Sequence, residues 1–592
     1  MKKKIKSFGQ YFTPRNVADF MVNLISKDKN VKILEPCAGE GVFLNALINK
    51  GYKNITAIEL DKSLPNKSPI PIEYSDFLKS DPNKKYDVII GNPPYVRWKN
   101  IPKETQEFLK NDPKWKDKLN GLADLLYAFI YLAVEKLEKG GELIFITPLF
   151  WTSTLHSRFI RKYLTSVGYL EVFITFNEMR IFKEVSSNIL IFKFIKDRDE
   201  KNIKVVHVKS KETLTTEHLR DIFSILKRLD KSNYIEEGIY QGYIHPQFLN
   251  GNPWKPLPPH IEPIITKIEE TCTKKAPFVR VTDGKTEKIK LSELLEEEDL
   301  EELGINKKEC KKVRFLNKHY FVYQNFHSKL TDFNKNGVER LTQRYTRLGD
   351  VADIGNGMVS GLDRAFQVEN EKNFNAEERK HFIKVVKSKN LDRYFIRGYT
   401  PYIFINDIEE EVELLKLPNI KKKLNEFKEE LLRRYSYNKK IPYWHWVFPR
   451  NQELIEKNKI KIIVPCKERI DSRDYVRFAL AKGDFYVTQD ATVIVKKYFF
   501  KEDEKYLLAI LNSKIILNWL KYKGLRRGGV LEFSEKPLSL IPIRLIDWDN
   551  TEEVKIHDKI VALVDQIIEN KNHSEEIINK IEDLLKNLYG LR

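Results

Sequence analysis

Short runs of branched apolar residues recur along the first 195 positions, separated by segments whose apolar residues fall three and four apart. Val31–Leu34, Ile55–Ile58, Ile72–Phe77, Val88–Ile90, Leu143–Thr147, Val172–Phe176 and Ile189–Phe194 read as strands. Asn16–Ser26 and Val42–Asn49 read as helices, and a third opens at Asp124 and runs to Gly140-Gly141. Strands alternating with helices predict an α/β fold, a doubly wound and mostly parallel sheet. Val88–Ile90 is apolar at every position, as a strand covered on both faces must be.

The signal changes past residue 196. From Asp197 to Gln343 the pattern weakens into a connector, with irregular stretches at His245–Trp254 and Pro256–Pro263, a helix at Ile264–Glu270 and an inserted segment over 272–343. Within it, Leu291–Leu303 reads as an acidic amphipathic helix, a solvated face. A new unit opens at Arg347–Phe366, with strand patterns at Tyr402–Ile405, Ile460–Val464, Tyr475–Ala479 and Asp484–Lys496 and a helix at Tyr506–Lys521. Val554–Glu569 and Ser574–Tyr589 carry apolar residues at helical spacing and should pack together. The predicted domains are therefore 1–196, 197–343, a mixed α+β unit at 344–545 and a helical hairpin at 546–592.

Composition narrows the setting. A chain of 592 residues is too long for one core, and its 42% hydrophobic and 32% charged content is that of a soluble globular protein. Lys and Arg number 103 against 84 Asp and Glu, a net charge of +19, which fits a polyanionic partner and equally a lysine-rich background. Cys37, Cys272, Cys310 and Cys466 are scattered, with no Cys-x-x-Cys pair, so neither a zinc site nor a disulfide framework is indicated. Met1–Ile5 is basic but leads into no apolar signal core, and Leu125–Val134 is too short to span a bilayer. A cytoplasmic protein with no metal and no membrane partner is expected.

The most specific chemistry lies at Tyr86–Val96. A buried-looking strand ends in Gly91-Asn92-Pro93-Pro94-Tyr95. Two prolines remove two backbone donors and restrict the residue before each, giving a stiff loop at the carboxyl end of a parallel strand. The loop offers an Asn amide, a proline carbonyl and an aromatic ring, which suit an amino group on a flat ring: two acceptors for its hydrogens and a face to stack on. The plain alternative is a rigid turn with a buried Tyr. Upstream, Thr13 before Pro14 reads first as a helix N-cap and second as a cofactor contact. Glu35-Pro-Cys-Ala-Gly-Glu-Gly41 is a turn where Gly39 and Gly41 allow close backbone approach, although the third glycine of the dinucleotide fingerprint is missing. Glu59 at the next strand tip suits a ribose diol, and Asp76 with Phe77 an exocyclic amine and a ring. Together they describe an adenosine-shaped site.

This order of motifs resembles the gamma-class adenine-N6 DNA methyltransferases of restriction–modification systems, the TaqI-like group. The resemblance implies a methyltransferase fold over 1–196 with S-adenosylmethionine as cofactor. Thr13 would lie near the methionine moiety with Glu35, Cys37, Gly39 and Gly41 around it, and Glu59 would hold the ribose. Asp76, Phe77 and Phe129 would surround the adenine. Asn92, Pro93, Pro94 and Tyr95 would grip the target amino group, and Phe182 would stack on the other face of a flipped base. Cys37-Ala38 departs from the Ala-Cys or aromatic of many relatives. Residues 344–545 resemble TaqI-type specificity domains, and their opening also looks like type I specificity subunits. Arg526 and Arg527, with Trp444, Trp446 and the Arg433-Arg434 pair, are candidate contacts to double-stranded DNA. A monomer is expected, with any restriction endonuclease a separate chain because no nuclease domain precedes Thr13. The rival readings are a protein-glutamine methyltransferase, which shares the Asn-Pro-Pro-Tyr device, a DNA-specificity module with a dead methyltransferase fold, and a fused restriction–modification enzyme.

Overall fold

The computed structural model describes residues 11–113, 115, 123–182, 188–199, 201–248, 251, 253–273, 278–282, 286–290, 294–295, 297, 300, 306–315, 318–323, 345–436, 440–470, 473–498, 500–527 and 529–591. They form two compact units: Met1–Glu262 with Arg527–Gly529, and Pro263–Arg526 with Val530–Arg592.

The first unit is built on a ten-stranded sheet. Its strands are β1 (Ile33–Glu35), β2 (Ile55–Glu59), β3 (Glu73–Tyr74), β4 (Tyr86–Gly91), β5 (Leu137–Pro148), β6 (Tyr169–Thr175), β7 (Ile189–Ile195), β8 (Ile203–Val208), β9 (Tyr234–Glu237) and β10 (Tyr240–His245). The spatial order is β3-β2-β1-β4-β5-β7-β6-β8-β10-β9. The first five strands are parallel, whereas β7 runs antiparallel to both neighbours. Around the sheet lie α1 (Arg15–Val22), α2 (Val42–Asn49), α3 (Lys103–Asn111), α4 (Leu125–Glu135), α5 (Arg158–Val167) and α6 (Thr216–Arg228).

Period-two alternation along the central strands fills two separate cores. Ile33, Val88, Ile90, Ile144, Ile146 and Ile191 face α1, α2 and α6. Leu34, Ile89, Leu143, Phe145 and Phe192 face α4 and α5 on the opposite side. Both faces are covered, which is why these strands are apolar at consecutive positions rather than at every second one. Each such side chain removed from water contributes about 1.5–3 kcal/mol, and that burial holds the strand ends in register.

Three local expectations change. Helix α1 begins at Arg15 with Pro14 at its N-cap and no side-chain cap, so Thr13 is not the capping residue. The helix opened by Asp124 ends at Glu135, and β5 begins at Leu137 instead of after Gly141. There Gly140 has φ +71°, and a Cβ on Gly141 would sit 2.9 Å from the Glu138 carbonyl, so the glycines bend a strand rather than end a helix. The sheet also continues beyond residue 196, because β8, β9 and β10 add to it in a region whose weaker alternation predicts a connector.

The second unit is α+β. Its five-stranded sheet has the order 352–356, 491–496, 460–465, 479–482, 394–395, and smaller sheets include a four-stranded one over 278–323. The acidic helix predicted at Leu291–Leu303 falls largely outside the described residues. The terminal helices Thr551–Asn570 and Glu575–Tyr589 pack on each other, burying Ile560, Val564 and Ile567 on one and Ile578, Ile581 and Leu585 on the other.

Asp124 caps α4, accepting the Leu126 N–H at 3.1 Å, and is buried. Burial raises its pKa to about 6, against hydrogen bonds from the Leu126 and Val96 amides and the charge of Arg97. The unfolded chain releases this proton first, so the group withdraws stability as pH rises from about 4 through about 6. Asp124→Asn keeps the cap and removes the ionisation. The variant should lie close to the native protein near pH 4 and exceed it by about 3 kcal/mol at pH 7 in urea unfolding; a difference that does not grow with pH contradicts this.

Candidate functional site

Because β1, β2 and β4 are parallel neighbours, their carboxyl ends open on one edge of the sheet. Glu35 is the last residue of β1, Glu59 the last of β2, and Asn92 follows the last of β4. Glu59 accepts the Gly39 N–H at 2.7 Å through one carboxylate oxygen and the Asp61 N–H at 2.8 Å through the other, fastening the glycine turn to the second strand tip. Gly39 (φ +56°) and Gly41 (φ +89°) occupy the left-handed region, and a Cβ on Gly41 would sit 2.9 Å from Ser68 Cβ. Glu35 is 1% exposed, and among the described residues its buried Oε2 has no hydrogen-bond partner. Burial, and then the neighbouring Glu59 carboxylate, hold its pKa well above the usual carboxylate value. Asp76 accepts the Leu78 N–H at 3.0 Å, capping the single turn Phe77–Lys79, and burial raises its pKa as well. The buried rings of Phe77 and Phe129 meet at 5.2 Å.

Asn92 is the best-anchored side chain at this edge. Its Nδ2 donates to the Tyr11 carbonyl at 2.8 Å and to Thr13 Oγ1 at 3.1 Å. A backbone carbonyl can only accept, so the amide orientation is settled and Oδ1 is an acceptor. Oδ1 accepts from the Tyr95 hydroxyl, which also lies 2.8 Å from the Ile146 carbonyl. One proton serves two oxygens, so Tyr95 can turn to Ile146 and leave Asn92 open. The Asn92 carbonyl accepts the Cys37 thiol at 3.1 Å. Burial, then Glu35 and Glu59, push the Cys37 pKa well up, which keeps it a protonated donor. Pro93 is buried, Pro94 is half-buried, and among the described residues the Pro93 carbonyl accepts no hydrogen bond.

An aromatic row lies beside this amide. Tyr11 stacks on Tyr95 with centroids 5.6 Å apart and planes 24° apart, and its other neighbour is Phe182 at 6.0 Å. Thr13, Cys37, Asn92, Tyr95 and Phe182 are thus joined in one connected cluster, with Tyr11 as a member that the sequence pattern does not single out. The available signal was an aromatic residue two positions before Thr13-Pro14.

The second unit places its candidates differently. Trp444 and Trp446 are core residues: their indole N–H groups donate to the Ile408 and Ile403 carbonyls at 2.8 and 2.9 Å, and both rings are buried. Neither presents a face to DNA. Arg434 donates to the Ser360, Pro442 and His445 carbonyls, and burial lowers its pKa to about 10. Arg526 is exposed, whereas Arg527 groups with the first unit. Among the described residues no group of three or more His, Cys, Asp or Glu side chains could hold a metal ion, and no helix is long and apolar enough to cross a membrane.

The Eco57I restriction-modification methylase family profile matches residues 28–182. The type II methyltransferase M.HindII of Haemophilus influenzae is 39% identical over 574 residues, 97% of this chain and 96% of its own. M.HincII of the same species is 37% identical over 573 residues, with the same coverage. M.MjaIV of Methanocaldococcus jannaschii is 33% identical over 268 residues, 44% of this chain and 82% of its own. Among solved structures, the type IIL restriction-modification enzyme MmeI in complex with DNA aligns with a TM-score of 0.58 at 12% identity, over 98% of this chain and 72% of that one, a likeness of fold.

The thiol contact gives a direct test of how the two loops are coupled. Cys37→Ser retains a donor to the Asn92 carbonyl, whereas Cys37→Ala leaves that carbonyl unpaired. In urea unfolding Cys37→Ala should be less stable than Cys37→Ser by about 1 kcal/mol; equal stabilities would show the thiol bond to be idle.

Proposed function

The chain belongs to the type II restriction–modification methyltransferases, and from that premise we propose that it transfers a methyl group from S-adenosylmethionine to N6 of an adenine extruded from duplex DNA. The observation that carries this reading is the fixed orientation of Asn92. Its NH2 is spent on the Tyr11 carbonyl and Thr13, so its oxygen is committed to accepting, which an exocyclic amine requires.

The residues at the strand ends fit the cofactor. Gly39 leaves space that a side chain would fill, Gly41 lets the turn pack directly on Ser68, Glu59 stands where a diol is held, and Asp76 with Phe77 and Phe129 offers an acceptor and apolar faces for an adenine. Glu35, buried and unpartnered on one oxygen beside a second acid, suits a ligand bearing positive charge. S-adenosylmethionine, when bound, supplies a methyl group on a positively charged sulfur, activated toward a nucleophile. Asn92 Oδ1 and the Pro93 carbonyl accept the two N6 hydrogens and turn the nitrogen lone pair out of ring conjugation. Transfer would form the N6–C bond as the donor's S–C bond breaks; the positive charge passing to N6 would be stabilised by the same two acceptors, and its surplus proton would leave to solvent after the transfer, so alignment rather than a general base would govern the methyl step. Tyr95 and Phe182 stack on the two faces of the extruded base, and Pro94 stiffens the corner between them.

Within the same reading, 1–196 is the catalytic portion and 344–545 the TaqI-type recognition portion, with 197–343 between them and a hairpin at 546–592. Arg526 and Arg527 remain the candidate DNA contacts, and the net charge of +19 supports a polyanionic substrate. The protein acts as a monomer in the cytoplasm, with the cognate endonuclease on another chain. No observation favours the protein-glutamine reading or the inactive specificity module.

DNA from a host expressing the chain should carry N6-methyladenine at one sequence, seen by methylation-sensitive digestion and by direct reading of modified bases. Methylated glutamine on a protein with unmodified DNA would instead support the rival enzyme, and sequence-specific binding without transfer the inactive module. Asn92→Ala should lower transfer at least about 10²-fold while S-adenosylmethionine affinity stays within about twofold. A variant with native turnover would remove Asn92 from the chemistry.

A further inference from the structure

We propose that the Tyr11 ring is the resident occupant of the base slot, filling the space between Tyr95 and Phe182 until the extruded adenine displaces it. The inference rests on the functional reading above and adds to it a residue that exchanges places with the substrate. Tyr11 lies stacked on Tyr95 at 5.6 Å and 24°, and meets Phe182 tilted by 45° at 6.0 Å. Its ring thus occupies the Tyr95 face on which a base would stack, with Phe182 as a second, inclined aromatic neighbour.

The ring and the backbone of this residue have separate tasks. The Tyr11 carbonyl receives the Asn92 Nδ2 hydrogen at 2.8 Å and so sets the acceptor orientation. The side chain is half-buried, and a rotation about χ1 moves the ring out of the slot without disturbing the carbonyl. Asn92 can therefore remain oriented while the ring leaves. The physical advantage is that neither apolar wall is opened to water during the exchange. The incoming adenine replaces one π-face with another: its stacking in the site offsets the cost of leaving the duplex, and displacing Tyr11 adds to that cost.

The test uses the full-length protein and a duplex containing its methylated sequence. 3-Fluorotyrosine placed at position 11 gives a single fluorine resonance, which should shift when that duplex is added and stay put with a duplex lacking the target adenine. In parallel, 2-aminopurine at the target position reports extrusion by its fluorescence. Tyr11→Ala, with no ring to displace, should raise the extruded population and tighten duplex binding roughly three- to tenfold, in line with one aromatic pair. Tyr11→Phe should behave as the native protein. A fluorine resonance that does not move while the native enzyme methylates the duplex overturns the exchange and makes Tyr11 a permanent wall. So does a Tyr11→Ala protein of native thermal stability whose extrusion is unchanged or weaker. Failure of the native enzyme to methylate adenine at all would remove the functional reading, and this inference with it.

Discussion

Two hydrogen bonds from one amide govern the candidate site. Asn92 gives both its hydrogens to groups on the segment before α1, the Tyr11 carbonyl and the Thr13 hydroxyl. An Asn at the end of a strand can ordinarily point either end of its amide at a ligand, and a site that must receive two hydrogens needs only one of those choices. The fold removes the other by placing acceptors behind it. Thr13 is excluded from helix capping for the same reason: its hydroxyl is engaged with Asn92, and Pro14 starts α1 without a side-chain cap. The proline pair contributes stiffness, while the amide bonds contribute direction.

The sheet makes this arrangement possible. Side-by-side parallel strands deliver Glu35, Glu59 and Asn92 to one edge, and the two cores on opposite faces lock the strands that carry them. The turns after those strands are then cross-linked by short polar contacts: Glu59 to Gly39, and Cys37 to the Asn92 carbonyl. A half-buried, protonated sulfur at Cys37 thus donates to the carbonyl of the residue that opens the proline loop. A site assembled this way is rigid at its polar end. Its aromatic end is a row of rings in which Tyr11 is half-buried against Tyr95 and Phe182.

Much of this was legible in the sequence. The strands around Val88 and Ile144 are uniformly apolar because both faces are covered, and that pattern is visible without coordinates. Asn92 and Tyr95 stand out because two consecutive prolines at a strand end have few purely structural uses. What escaped notice had local causes. Gly140-Gly141 carries the composition of a helix stop, yet bends a strand, because Leu137 ahead of it already pairs with Tyr86. Strands β8 to β10 extend a sheet whose earlier members define its register, so their pairing partners lie far away in sequence. Trp444 and Trp446 look like stacking platforms in a basic chain, but their indole groups satisfy carbonyls inside the second unit's core. Tyr11 was hidden because nothing in its own neighbourhood reveals that Tyr95 and Phe182 will flank it.

The central claim is geometric and can be read from one structure: this protein bound to its specific duplex and a non-reactive S-adenosylmethionine analogue. Asn92 Oδ1 and the Pro93 carbonyl should each lie within about 3.2 Å of the extruded adenine N6, with Asn92 Nδ2 still on Thr13 and the Tyr11 carbonyl. An adenine amino group held by other acceptors, or an Asn92 amide turned so that its nitrogen faces the base, would contradict the account.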